Sequence, residues 1–116
     1  LALAYAKREK RKLAVMFIDL DKFKEINDLY GHEAGDKVLQ HVSNCMVSCV
    51  RESDTVARLG GDEFVILLPV IESEKDAVIV ANKIVEAVVK PIPVSVSGNQ
   101  VKLHVSCSIG IAIYPQ

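Results

Sequence analysis

Between two strand-like apolar runs, residues 55–59 and 64–68, the chain places Gly60, Gly61, Asp62 and Glu63. A reversal this short needs backbone angles that side chains resist, so paired glycines between such runs predict an antiparallel hairpin. A further run, residues 13–18, has no polar break and stops at Asp19-Leu20-Asp21. A central strand covered on both faces gives that pattern. Phe23, Ile26, Leu29 and Tyr30 recur at helical spacing until Gly31, which predicts a short helix. Val38, Leu39, Val42, Cys45, Met46 and Cys49 draw a second helical stripe, entered through Gly35 and Asp36.

The rest of the chain follows the same two periods. Ser73 with Asp76 resembles a capping box, and Ala77, Ala81, Ile84 and Val88 continue a helical face until Pro91 ends it. Alternation returns over residues 94–113, broken by Ser97-Gly98-Asn99, and predicts a closing hairpin. The first twelve residues mix Leu and Ala with Lys and Arg, as at the end of a helix. The expected fold is α+β, a mainly antiparallel central sheet flanked by helices. At 116 residues, half of them hydrophobic, the chain builds one core, so residues 1–116 are read as a single domain.

Charge narrows the ligands. Fourteen Lys and Arg nearly balance fifteen Asp and Glu, for a net charge of -1, which provides no global basic field to hold a nucleic-acid polymer. Anionic ligands must be bound locally. The apolar run over residues 64–70 contains Pro69 and is far too short to cross a bilayer, and no stretch reads as a signal peptide, so no direct membrane contact and a cytoplasmic location are expected. Cys45, Cys49 and Cys107 form no CxxC pair and no cluster with histidines, and are read as buried small apolar groups.

If the strand ending at Asp19 lies beside the hairpin, then Asp19, Asp62 and Glu63 meet at one sheet edge. Like charges so close are costly without a cation. Mg2+ is the natural occupant, since it takes hard oxygen ligands from one or two carboxylates plus substrate phosphates. Gly60 and Gly61 would let the turn approach a bulky anion or base.

Gly60-Gly61-Asp62-Glu63-Phe64 spells the signature of the GGDEF family of bacterial diguanylate cyclase domains. The segment running Phe17-Ile18-Asp19-Leu20-Asp21-Lys22-Phe23-Lys24 and on through Ile26-Asn27-Asp28 resembles that family's FxDxDxFKxxND segment. Gly31-His32 and Gly35-Asp36 continue it in register, and residues 106–112 resemble its late SxGIA strand. The resemblance implies a fold like that of nucleotide cyclases and polymerase palms, and condensation of two GTP into cyclic di-GMP with release of two pyrophosphates. It implies Mg2+ as cofactor, with Mn2+ as a substitute, held by Asp19, Asp62 and Glu63 and the carbonyl of Leu20. Asp62 and Glu63 would form the catalytic acidic site, with Glu63 either a metal ligand or the group that helps deprotonate the attacking hydroxyl. Asn27 and Asp36 would read guanine, an amide pairing with O6 and N3 while a carboxylate accepts from N1 and N2. Phe23 and Lys24 open a helix whose N–H groups would face the phosphates, and Gly60 and Gly61 would line the substrate site. Each domain of the family holds one GTP, so catalysis requires a homodimer with sites face to face.

Arg51-Glu52-Ser53-Asp54 is similar to the family's RxxD inhibitory motif and stands at its usual separation from Gly60. Arg51 and Asp54 would bind the product, cyclic di-GMP; a surface ion pair at a helix end is the competing reading. The predicted helix beyond Ser73 offers lysines and no arginine to assist. Two other functions fit the family: a catalytically silent cyclic di-GMP receptor, and a regulatory GTP-binding domain. The family's DxLTGLxNR opening and its closing ADxALYxAK and GRN segments have no counterpart here, so the domain is expected to be truncated at both ends. For His32, Asp21 and Asp28 the expectation is a structural or capping role, for His41 an exposed helix position, and for Arg58 support of the site or packing. His104 has no evident partner.

Overall fold

The computed structural model describes residues 11–115. Six strands and three helices follow in the order β1 (Lys12–Asp21), α1 (Phe23–Tyr30), α2 (His32–Cys49), β2 (Thr55–Gly60), β3 (Glu63–Ile71), α3 (Glu74–Val88), β4 (Ile92–Val96), β5 (Asn99–Leu103) and β6 (Ser106–Tyr114). The expected starting helix lies outside the described residues. Four strands form an antiparallel sheet in the order β2-β3-β1-β6, and β4-β5 is a separate two-stranded sheet.

The core lies between one face of the large sheet and the helices α2 and α3. Ala14, Met16, Ile18 and Leu20 of β1 and Phe64, Ile66 and Leu68 of β3 are buried with Val38, Val42 and Met46 of α2 and with Ala77, Ala81, Ile84 and Val88 of α3. Taken as whole residues, none of the polar or charged ones among the described residues is buried, although the Asp54 side chain is. The expectation that β1 is covered on both faces does not hold, because Phe17, on its other face, is 53% exposed. An unbroken apolar run therefore conceals a strand with one core face. The helical stripe of α1 is also shorter than read: Phe23 and Ile26 are buried, but Leu29 is exposed.

Two further boundaries differ from expectation. Helix α2 begins at His32, because Gly31 at φ 92° makes the reversal after α1, and Gly35 and Asp36 sit inside the first turns. The closing hairpin ends earlier than read. Ser97 and Gly98, both at positive φ, join β4 to β5 in a two-residue turn of the kind hairpins favour, and β6 leaves to pair with β1 along nine residues. The three cysteines are half-buried rather than buried, and His41 is half-buried rather than exposed. No helix among the described residues is long and apolar enough to cross a membrane.

Pro69 is tolerated inside β3 because the ladder is already broken there. The β1–β3 register steps from Ala14↔Leu68 to Lys12↔Ile71, so β3 carries an extra residue around Pro69 and Val70. The capping box of α3 forms as read: the Asp76 carboxylate accepts from the backbone N–H of Ser73 at 3.3 Å and of Glu72 at 3.0 Å.

Candidate active site

The sheet register brings the acidic motifs together. Asp19 at the end of β1 is the direct cross-strand partner of Glu63 at the start of β3, and the Leu20 N–H donates to the Asp62 carbonyl at 3.1 Å. Between β2 and β3, Gly60 pairs with Glu63, leaving Gly61 and Asp62 as the turn. Gly61 at φ 52° carries the left-handed conformation at the first central position, where a side chain would be strained. Asp19 and Glu63 are exposed and Asp62 is half-buried. A hollow of about 130 Å3 beside them is lined by Phe17, Ile18, Leu59 and Phe64 as well as the Asp19–Glu63 pair.

Like charges facing one another across two strands are destabilising. Among the described residues no Lys, Arg or His forms an ion pair with Asp19, Asp62 or Glu63. The same residues contain no group of three His, Cys, Asp or Glu side chains drawn together tightly enough to make a cation cage by themselves. Two facing carboxylates, unpaired and open to solvent, suit a hard divalent cation that completes its shell with water and phosphate oxygens. The donor set fits Mg2+ in that way.

Beyond the acidic pair, the chain leaves β1 through Lys22 at φ 66° and enters α1 without any side-chain cap. The first N–H groups of this helix are therefore free to meet an anion, with Lys24 exposed beside them and Phe23 buried as the anchor. Of the structural and capping roles expected for Asp21, the structure shows no cap on α1; its carboxylate accepts hydrogen bonds from Ser106 and Ser108 of β6. Asn27 packs against Gly35, where a Cβ would collide with its Oδ1 and lie 2.9 Å from its Cγ. Asp36, one position on, lines a groove of about 310 Å3 with Leu39, Gln40, Ser43, Arg58 and Phe64. Gln40 and Ser43 escaped the sequence reading, although their spacing from Asp36 puts all three along one side of α2.

Arg51 and Asp54 stand at the opposite end of β3 from Glu63. The Arg51 guanidinium donates to both Asp54 oxygens, at 3.3 and 3.2 Å, and to the Val70 carbonyl at 2.7 Å, in the irregular stretch of β3. The Arg51 backbone N–H also donates to Asp54, at 2.8 Å. The Asp54 side chain is 2% exposed and that of Arg51 59%. They border a groove of about 390 Å3 that also takes in Arg11, Glu72, Asp76 and Lys83.

An antiparallel sheet with helices packed on it, and facing carboxylates at a glycine turn, defines an α+β domain with an acidic site at its sheet edge. The family described as "Diguanylate cyclase, GGDEF domain" matches residues 1–116, and the chain belongs to it. Diguanylate cyclase TpbB of Pseudomonas aeruginosa is 48% identical over 115 residues, 99% of this chain and 26% of TpbB. The chain thus spans about a quarter of that relative's length. The crystal structure of the TpbB GGDEF domain matches with a TM-score of 0.89, covering 98% of this chain and 69% of that one at 48% identity. The GGDEF domain of DgcB from Caulobacter crescentus, solved in complex with c-di-GMP, matches with a TM-score of 0.85 at 25% identity, covering 97% of this chain and 65% of that one.

Proposed function

We propose that this domain is the catalytic part of a diguanylate cyclase, in which two copies each hold one GTP and together form cyclic di-GMP. The observation that carries the reading is the Asp19–Glu63 pair, set across two strands with the glycine turn beside it. Asp19, Asp62 and Glu63 with the Leu20 carbonyl would hold Mg2+ or Mn2+. When bound, the cation supplies charge neutralisation at the phosphates and lowers the pKa of the attacking hydroxyl. Phe23 and Lys24 present the start of α1 to the triphosphate, and Gly60 and Gly61 let the turn come close to it. Asn27 and Asp36 read the guanine edge.

In each half-reaction the 3'-oxygen of one GTP bonds to the α-phosphorus of the other, the bond to the bridging oxygen breaks, and pyrophosphate leaves. The hydroxyl proton goes to Glu63 or to solvent, with Glu63 acting as cation ligand or as proton acceptor. A two-fold axis between facing sites makes the second half-reaction equivalent to the first.

We infer that Arg51 and Asp54 bind cyclic di-GMP as an inhibitor. Their groove takes in Arg11 and Lys83 along with Glu72 and Asp76, so both signs of charge are present to meet phosphates and guanine N–H groups, and a relative binds c-di-GMP in its GGDEF domain. The Asp54 carboxylate, buried and bonded to Arg51, can accept from the ligand only if the pair opens, whereas the exposed side of the Arg51 guanidinium can meet it directly.

The test is to incubate the full-length parent protein with GTP and Mg2+. Cyclic di-GMP is expected, and Glu63→Gln should lower its rate by about a hundredfold or more. Binding of cyclic di-GMP without GTP turnover would mark a receptor instead, and GTP affinity without product a regulatory domain.

A further inference from the structure

Strand β1 loses one neighbour before it ends. Over residues 14–19 it is paired with β3 on one side and β6 on the other. Past Asp19, β3 has turned away, and on that side only the bond from the Leu20 N–H to the Asp62 carbonyl is left. On the other side Leu20 and Asp21 stay in register with Cys107 and Ser106. The placement of Asp19, of the Leu20 carbonyl and of the start of α1 therefore depends on how β6 holds these last residues.

The grip is made by side chains as well as backbone. Asp21 Oδ2 accepts from the Ser106 hydroxyl at 3.0 Å, and the Ser108 hydroxyl donates to Oδ1 at 3.3 Å and to Oδ2 at 3.4 Å. Alternation puts Asp21 on the same sheet face as Asp19, two residues earlier, and Ser108 is Asp19's own cross-strand partner on β6. Without the hydroxyls a further carboxylate would stand free on the face that carries Asp19 and Glu63; with them, both its oxygens are engaged toward β6. The next residue, Lys22, takes a left-handed conformation that a lysine adopts only when its surroundings fix it, and α1 has no side-chain cap to do so. Asp21 anchors the chain before this residue and the buried Phe23 anchors it after.

We propose that Asp21, held by Ser106 and Ser108, is a positioning residue of the cyclase site, fixing the end of β1 so that Asp19 and the Leu20 carbonyl reach the cation and α1 reaches the triphosphate. The proposal rests on the diguanylate cyclase reading. It gives the polar positions of β6 a function and distinguishes Asp21 from a cation ligand.

The experiment uses the full-length parent with three changes: Asp21→Asn, the double Ser106→Ala/Ser108→Ala, and the double Ser106→Thr/Ser108→Thr. Cyclic di-GMP formation is followed against GTP and Mg2+, affinity for a non-hydrolysable GTP analogue is measured by calorimetry, and folding is checked by thermal melting. Loss of an outer partner of a metal site costs about tenfold, so the alanine pair should lower kcat by about that factor while KM for GTP changes by less than about threefold. The threonine pair keeps both hydroxyls and should restore kcat to within about twofold of wild type. Asp21→Asn, which keeps one acceptor oxygen, should fall between.

Unchanged kcat in the alanine pair, with a raised Mg2+ requirement only in Asp21→Asn, would make Asp21 a ligand and overturn the proposal. Equal loss in the threonine and alanine pairs would make the serines simple packing and overturn it too. If the wild-type protein makes no cyclic di-GMP, the enzymatic reading fails by itself. Positioning is then read from the affinity of the analogue complex for Mg2+, which should fall about tenfold in the alanine pair and recover in the threonine pair. No fall overturns the proposal.

Discussion

At Gly35 one missing methyl group decides where Asn27 can sit. A Cβ there would overlap Asn27 Oδ1 and come 3.3 Å from the Phe23 ring, so the contact of α1 with α2 requires glycine although the residue lies inside a helix. Gly35→Ala gains about 1 kcal/mol of helix propensity and loses a comparable amount to the clash, which leaves stability nearly level. Its effect should fall on Asn27: GTP affinity is expected to drop about tenfold, the worth of one hydrogen bond to the base, as calorimetry would register. Cys107 makes a second residue-scale prediction. Burial first, and the Asp21 carboxylate second, push its thiol from an ordinary 9.0 up to about 11. The folded protein therefore holds this proton more tightly than the unfolded chain. The resulting stabilisation is complete below pH 9.0 and is lost as pH rises through about 11. Urea melts across that window should show stability falling, with a shallower fall in Cys107→Ala; Cys45, also raised chiefly by burial, accounts for part of the remaining slope. The sequence exposed Gly35 and Asn27 as motif letters but not their contact, because the approach of the two helices is set by the Gly31 reversal between them.

At the scale of elements, the Arg51–Asp54 pair ties the start of β2 to the irregular part of β3 through the Val70 carbonyl. Arg51→Ala leaves a carboxylate that is 2% exposed with only its backbone donor, and should cost about 1–2 kcal/mol. The double change Arg51→Ala/Asp54→Ala should cost less than the sum of the single changes, because each single change strands a partner that the double removes. Denaturant melts of the four proteins check this, and additive losses would show the pair to be energetically uncoupled. Local signals were legible here: the Gly60-Gly61 hairpin, the Ser73–Asp76 cap and the stop at Gly31 all form where the residue chemistry places them. Partner choice was not. The Ser97-Gly98-Asn99 break marks the return of β5 to β4, but alternation continues beyond it to residue 113 and does not say that β6 crosses to β1. That choice depends on which strand of the large sheet has a free side.

At the scale of the molecule, one core holds the sheet against α2 and α3, while the acidic pair sits where β1 ends, β3 begins and solvent reaches the sheet. The sequence motifs carried the family and the candidate residues. The sequence did not carry the open character of the site, in which Asp19 and Glu63 face each other exposed with Phe17 and Leu59 exposed beside them. A continuous apolar run reads as a strand buried on both faces, and only the three-dimensional arrangement shows one face left open. A divalent cation held between these two carboxylates together with a guanine nucleotide's phosphates is the centre of the proposed site. Anomalous scattering from crystals of the protein grown with Mn2+ and a non-hydrolysable GTP analogue measures this directly. A manganese peak between the Asp19 and Glu63 carboxylates, in contact with phosphate oxygens, is the predicted result. Nucleotide bound with no metal at that pair, or with the metal at another site, would contradict it.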